Sequence, residues 1–192
     1  LLSSPTALGI GRIGPDLLGA PSHNAEEVLF GTSISLSTGN NKTRLLVGAP
    51  MHDYTTRQES SSSFQDNTGG VFLYELQEQD NSWNPIWFLS GSHTGEKVGE
   101  RLAFSQDGST VAVRRSGPQG ESYVQVYNVS DPDNVQTVGD ALACQDGTRG
   151  NTVSLSSDGK RLALSCEYTN GNTEVSSSID LSGLSIDAEA TL

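Results

Sequence analysis

The sequence predicts an all-β protein built from three copies of one four-stranded antiparallel unit. Two observations carry this reading. A short glycine-led phrase with apolar residues at alternate positions occurs at Gly31–Ser37, Gly99–Ser105 and Gly150–Ser156. Each occurrence runs into a turn rich in Asn, Asp or Gly, and then into a second apolar run. A period of two marks a strand, and recurrence along one chain marks a repeat architecture.

The elements follow in order. In the first strands Ile34 and Leu36, Leu102 and Phe104, and Val153 and Leu155 hold the same alternate positions. The turns that follow contain Asn40-Asn41, Asp107-Gly108 and Asp158-Gly159, residues that tolerate the positive φ of tight hairpins. The second strands are Leu45–Val47, Val111–Val113 and Leu162–Leu164. They alternate too little for half-exposed strands and are expected to be buried on both faces. The third strands are Val71–Leu76, Val124–Val129 and a degenerate Ser176–Leu181. Fourth strands are expected at Pro85–Leu89, Val135–Val138 and Leu184–Ala188. The segment Met51–Thr68, with its serine-rich centre, reads as an exposed loop inserted in the first copy.

Four-stranded antiparallel units repeating in this way are the sequence mark of a β-propeller. "FGTSISLS…RLLVGAP…GGVFLYEL" resembles the repeat of FG-GAP-type propeller proteins, and "LSSDGKRLALS" is similar to the Ser-x-Asp-Gly-x-x-Leu-Ala phrase of propellers related to the tryptophan-aspartate repeat class. The resemblance covers about Gly31 to Leu181 and speaks to fold more than to function. The calcium-binding carboxylate loop of integrin-type repeats and the Trp-Asp dipeptide are both missing. On this reading residues 31–98, 99–149 and 150–192 are three blades. Residues 1–30 are an N-terminal segment with a candidate outer strand at Arg12–Gly19. Closed propellers need four to eight blades. Three copies therefore belong to a longer propeller, or are covered by another subunit, or stack as a sandwich or open array. A stable isolated monomer is not expected, because end blades would expose apolar surface.

The chain has 192 residues, 34% of them hydrophobic, and carries 23 acidic against 11 basic side chains for a net charge of −12. That balance argues against nucleic acid and anionic lipid as partners. No apolar run approaches the roughly 18 residues of a membrane span. The opening "LLSSPTALGIGRIG" has too short an apolar run and no basic leader for a signal peptide, as in a mature product or a fragment.

No catalytic constellation is legible. His23, His52 and His93 lack a second ligand at metal spacing. Asp131-Pro132-Asp133-Asn134 reads as a turn rather than a calcium loop. Gly9-Ile10-Gly11 and Gly117–Gly120 lack the strand–glycine–helix setting of phosphate loops. No cofactor is expected. Tyr74 and Tyr127 recur at one strand position, which favours packing between units, whereas Trp83 and Trp87 are the candidate ligand or partner contacts.

Cys144 precedes the first strand of the third copy and Cys166 ends its second strand, so an antiparallel hairpin brings both to one end of the sheet. A disulfide is expected there, two free thiols being the alternative, and it would imply an oxidising compartment. Asn41-Lys42-Thr43 and Asn128-Val129-Ser130 fit the N-glycan acceptor pattern. The expectation is a non-catalytic extracellular or secretory-lumen module, structural or adhesive. It would work through contacts with other copies of itself or with further blades, in a fibre or coat. The alternative is a ligand-binding, glycan-binding or enzymatic propeller with its site on the channel loops.

Overall fold

The computed structural model describes residues 15–17, 28–56, 63–65, 67–117, 121–143, 149–167, 173–181 and 186–187. Among these every regular element is a β-strand. The first copy is a four-stranded sheet of β1 (Ser33–Ser37), β2 (Arg44–Ala49), β5 (Gly70–Gln77) and β6 (Ser82–Ser90), in that spatial order and antiparallel throughout. The expected inserted loop carries a short ladder of its own, β3 (Tyr54–Thr56) with β4 (Ser63–Gln65). The β-branched and aromatic character of Tyr-Thr-Thr accounts for it.

The second copy repeats the order with β7 (Leu102–Phe104), β8 (Thr110–Ser116), β9 (Ser122–Asn128) and β10 (Gln136–Val138). Its outer strand is broken. At Gly139, with φ 63°, the chain leaves the ladder and returns as β11 (Leu142–Ala143), which again pairs with β9. Gln125 Nε2 bridges the break by donating to the Gly139 carbonyl at 3.1 Å.

The third copy departs from the expected pattern. Its sheet has three strands, β12 (Arg149–Leu155), β13 (Arg161–Glu167) and β14 (Thr173–Asp180). The fourth strand expected at Leu184–Ala188 appears as β15 (Ile186–Asp187), which pairs not with β14 but with β10 of the second sheet. The outer edge of β10 offers unpaired backbone groups, and two residues suffice to engage them. Of the candidate outer strand at Arg12–Gly19, only Pro15–Leu17 are described, and they carry no strand.

The three sheets stack face on face in chain order, with β1 against β7, and β7 and β8 against β12. One core lies between the first and second sheets, around Leu46, Leu73, Phe104, Val111 and Tyr127. The other lies between the second and third, around Ala112, Val126, Val153, Leu162 and Leu164. Burial of a side chain such as Leu73, 0% exposed, contributes about 2–3 kcal/mol. The expected two-sided burial of the second strands holds fully in the middle copy, where Val111, Ala112 and Val113 are all 0% exposed. In the outer copies Leu45 and Ala163, which face away from the stack, are only half-buried.

Small residues set how closely the sheets approach. An ideal Cβ on Gly48 would meet the Gly99 carbonyl oxygen at 2.0 Å, and one on Gly39 would meet the Asp107 backbone at 2.4 Å. The serines of β1 hydrogen-bond directly across the interface. Ser33 Oγ donates to the Gly99 carbonyl at 2.5 Å and Ser37 Oγ to the Gln106 carbonyl at 2.8 Å. Arg44, 5% exposed, completes the seam. Its Nη1 donates to the carbonyls of Gly108 at 3.1 Å and Val129 at 3.0 Å, while its Nε donates to Glu75 Oε2 at 3.0 Å.

Candidate functional site

The repeated Ser-x-Asp-Gly phrase places one carboxylate in each of two neighbouring hairpin turns. Asp107 Oδ1 accepts from Ser105 Oγ at 2.6 Å, from the Ser109 amide at 3.0 Å and from Ser109 Oγ at 2.8 Å. Asp158 Oδ1 accepts from Ser156 Oγ at 2.6 Å and from the Lys160 amide at 3.2 Å. The two serines also accept, each at 2.9 Å, from the amide that opens the next strand, Thr110 and Arg161. Burial alone would raise the Asp107 pKa, but the hydrogen bonds from Ser105 and Ser109 outweigh it and hold the carboxyl below its ordinary value. These aspartates are therefore spoken for by turn geometry. The first copy makes its turn with Asn40 and Asn41 at φ 53° and 60°.

The turns of successive copies touch. Asn40 Nδ2 donates to the Asp107 carbonyl at 2.8 Å, and the Asp107 amide donates to the Ser157 carbonyl at 3.1 Å. Together they frame an open depression of about 380 Å³ whose walls include Gly39, Asn40, Gln106, Asp107, Ser157 and Asp158. Among the described residues no three His, Cys, Asp or Glu side chains gather as a metal site.

A second surface lies on the outward face of the first sheet. The register aligns Ile34, Val47, Phe72 and Phe88 in one row across the four strands. Ile34 is 67% exposed, Leu36 57% and Phe88 41%. Phe72 is the hub of an aromatic cluster, with ring centroids at 4.7 Å from Phe88, 5.5 Å from Phe30 and 5.7 Å from His52. His52 Nδ1 is buried without a hydrogen-bond partner, and burial lowers the His52 pKa against the opposing pull of Asp53.

A third feature is internal. Glu96, 0% exposed, sits in the connection from β6 to β7. Its Oε2 accepts from the Ser92 amide at 2.5 Å, Ser92 Oγ at 3.1 Å and the His93 amide at 3.3 Å. Its Oε1 accepts from Arg115 Nε at 2.5 Å and from the Tyr123 hydroxyl at 3.2 Å. Arg115 Nη1 continues to the Tyr127 hydroxyl at 3.1 Å. Burial pushes the Glu96 pKa up, but the Ser92 amide, the Arg115 charge, the Ser92 hydroxyl and His93 together bring it below the ordinary value. Both carboxylate oxygens are filled, and the cluster fastens the connection onto the second sheet.

The residues singled out in the sequence do not converge on one site. Trp87 packs against Tyr127 of the second sheet, ring centroids 5.7 Å apart, and so sits at the edge of the intersheet core. Trp83 lies half-buried opposite Leu76 in the β5–β6 ladder. Tyr74 and Tyr127 are both buried, at 8% and 6% exposure. Asn41 is exposed at the first hairpin turn. Asn128 ends β9, and its Oδ1 accepts from the Ser130 amide at 3.0 Å and from Ser130 Oγ. Cys166 pairs with Gly150 in the β12–β13 ladder, while Cys144 and His23 lie outside the described residues. Sequence reasoning passed over the Glu96 cluster, since a glutamate in a loop carries no signal of burial.

Comparison with protein-family models and with curated protein sequences finds no match.

Proposed function

We propose that this chain is a non-catalytic β-propeller-type module, structural or adhesive, which acts outside the cell through protein contacts, including contacts with copies of itself. The observation that carries the reading is the stack: three repeated sheets packed face on face in chain order, with an apolar outward face on the first. Exposed patches of this kind mark interaction surfaces. The acidic balance keeps such a module soluble and away from nucleic acid. The expected Cys144–Cys166 bridge and a glycan at Asn41 or Asn128 belong to the same reading. Native-source protein should carry fewer titratable thiols before reduction than after it, and added mass on the sequon peptides.

A second reading rests on the polar depression at the turns, which suits a glycan. Sedimentation of the purified chain combined with a glycan array separates the two. Concentration-dependent association without glycan retention supports the contact module. A persistent monomer that retains a glycan, and loses it on Asn40→Ala substitution, overturns it in favour of the ligand-binding propeller.

A further inference from the structure

Each intersheet seam is built from the same two complementary faces. On the forward side the first strand carries small residues, Ser33, Ser35 and Ser37 in β1, Ala103 in β7 and Ser105 directly after it, with the larger Leu46 and Leu73 of the first sheet beside them. On the backward side stand large apolar ones: Leu102 and Phe104 in β7, Val153 and Leu155 in β12. Phe104 is 8% exposed and Val153 8% because the preceding sheet covers them. Ile34 and Leu36 hold the same positions in the first copy and are 67% and 57% exposed. At the other end of the stack Thr152 and Ser154 hold the positions of Ser33 and Ser35, and both are exposed.

The arginine of the first seam has a counterpart in the third copy, whereas the second copy carries Thr110 at this position. Arg44 pairs across its ladder with Glu75, and Arg161 pairs at the same position with Asp180. Arg44 is buried against carbonyls of the next sheet, whereas Arg161 is exposed. The carbonyl it would meet is identifiable by equivalence. The Leu76, Val129 and Leu181 amides each donate at 2.8 Å to the residue before the second strand, Thr43, Ser109 and Lys160. Leu76 thus stands to the first sheet as Val129 does to the second.

Building on the contact-module reading, we infer that the forward face of the third sheet docks on the backward face of the first sheet of a second copy of this chain. Thr152, Ser154 and Ala163 then lie over Ile34 and Leu36, and Arg161 reaches the Leu76 carbonyl of the neighbour. The occupant is a second copy because the open backward face matches two seams already made inside the molecule, and the chain itself carries the face that fills it. The contact is heterologous, so it propagates into a ring or filament.

The test uses the full chain with one face blocked at a time. Ile34→Asp blocks the backward face and Ser154→Glu the forward face, each burying an unpaired carboxylate at the seam. Each variant alone should associate more than about a hundredfold more weakly than the parent. Mixed one to one, they should regain a dimer, because each retains the face the other lacks. Both positions are exposed, so circular dichroism and melting should match the parent. The milder Ile34→Ser should give an intermediate loss. A dimer formed by Ser154→Glu alone would reveal a symmetric face-to-face contact and overturn the inference. So would a mixture that stays monomeric. A parent chain that is monomeric until residues 1–27 are removed would show the backward face covered from within, and would also overturn it. Assembly unchanged in both variants defeats this contact while leaving the contact-module reading intact.

Discussion

Replacing Glu96 with glutamine removes one charge and almost no volume from a fully buried carboxylate. Both carboxylate oxygens accept, one from Ser92 and His93 and the other from Arg115 and Tyr123. Whichever way the amide is turned, its NH2 therefore faces donors, and at least one hydrogen bond becomes a repulsion. Arg115, only 17% exposed in its side chain, loses its carboxylate partner at the same time. Breaking a buried pair by removing one member costs about 3–5 kcal/mol. For a chain of this size that corresponds to a fall in melting temperature of roughly 10 °C. Urea denaturation of the unassociated protein measures it, with the slope unchanged if the transition remains two-state. Arg115→Met should cost a similar amount, and the double variant less than the sum, since neither charge is then left alone. A loss below about 1 kcal/mol in Glu96→Gln, or full additivity in the double variant, would refute the account of this cluster.

The other seams give further expectations. Gly48→Ala should cost more than about 2 kcal/mol in urea unfolding, because the new methyl meets backbone rather than a flexible side chain. Arg44→Met removes the donor to two carbonyls, with Glu75 keeping Lys42, and should cost about 2–3 kcal/mol, while Arg161→Met in unassociated protein should cost less than about 1 kcal/mol. His52 has a folded pKa below its ordinary 6.5, so its contribution is fully present above that value and is lost as pH falls through the folded pKa. His52→Phe should remove this limb of the stability–pH curve, and parallel curves for variant and parent would refute it. The lowered pKa values of Glu75, Glu96 and Asp107 place a second loss further down, beginning as pH falls into the ordinary carboxylate range and complete only below it.

Much of the fold is legible because period-two alternation and turn chemistry act locally. The first and second strands of all three copies, and the third strands of the first two, fall where short apolar runs and Asn or Asp-Gly turns put them. The Ser-Asp pairing that closes two of those turns is written in four consecutive residues. The fate of Leu184–Ala188 was not legible. Which edge a two-residue strand joins depends on where an unpaired edge lies in space, and Ile186-Asp187 has no pattern that names β10. Nor was the burial of Glu96 or Arg44, because the partners of each lie in other elements or other copies.

The β15 strand ties the third copy to the second in a way that the stacked faces do not. Thr137 and Val138 of the second sheet are paired with Asp187 and Ile186, residues that follow the third sheet in sequence. Loosening of the third sheet therefore withdraws the strip that shields its neighbour's rim. An unshielded strand rim recruits foreign chains. Loss of the β15 pairing would convert the second sheet into a template for stray pairing. Tolerance to proteolysis and resistance to aggregation thus meet at one two-residue strand.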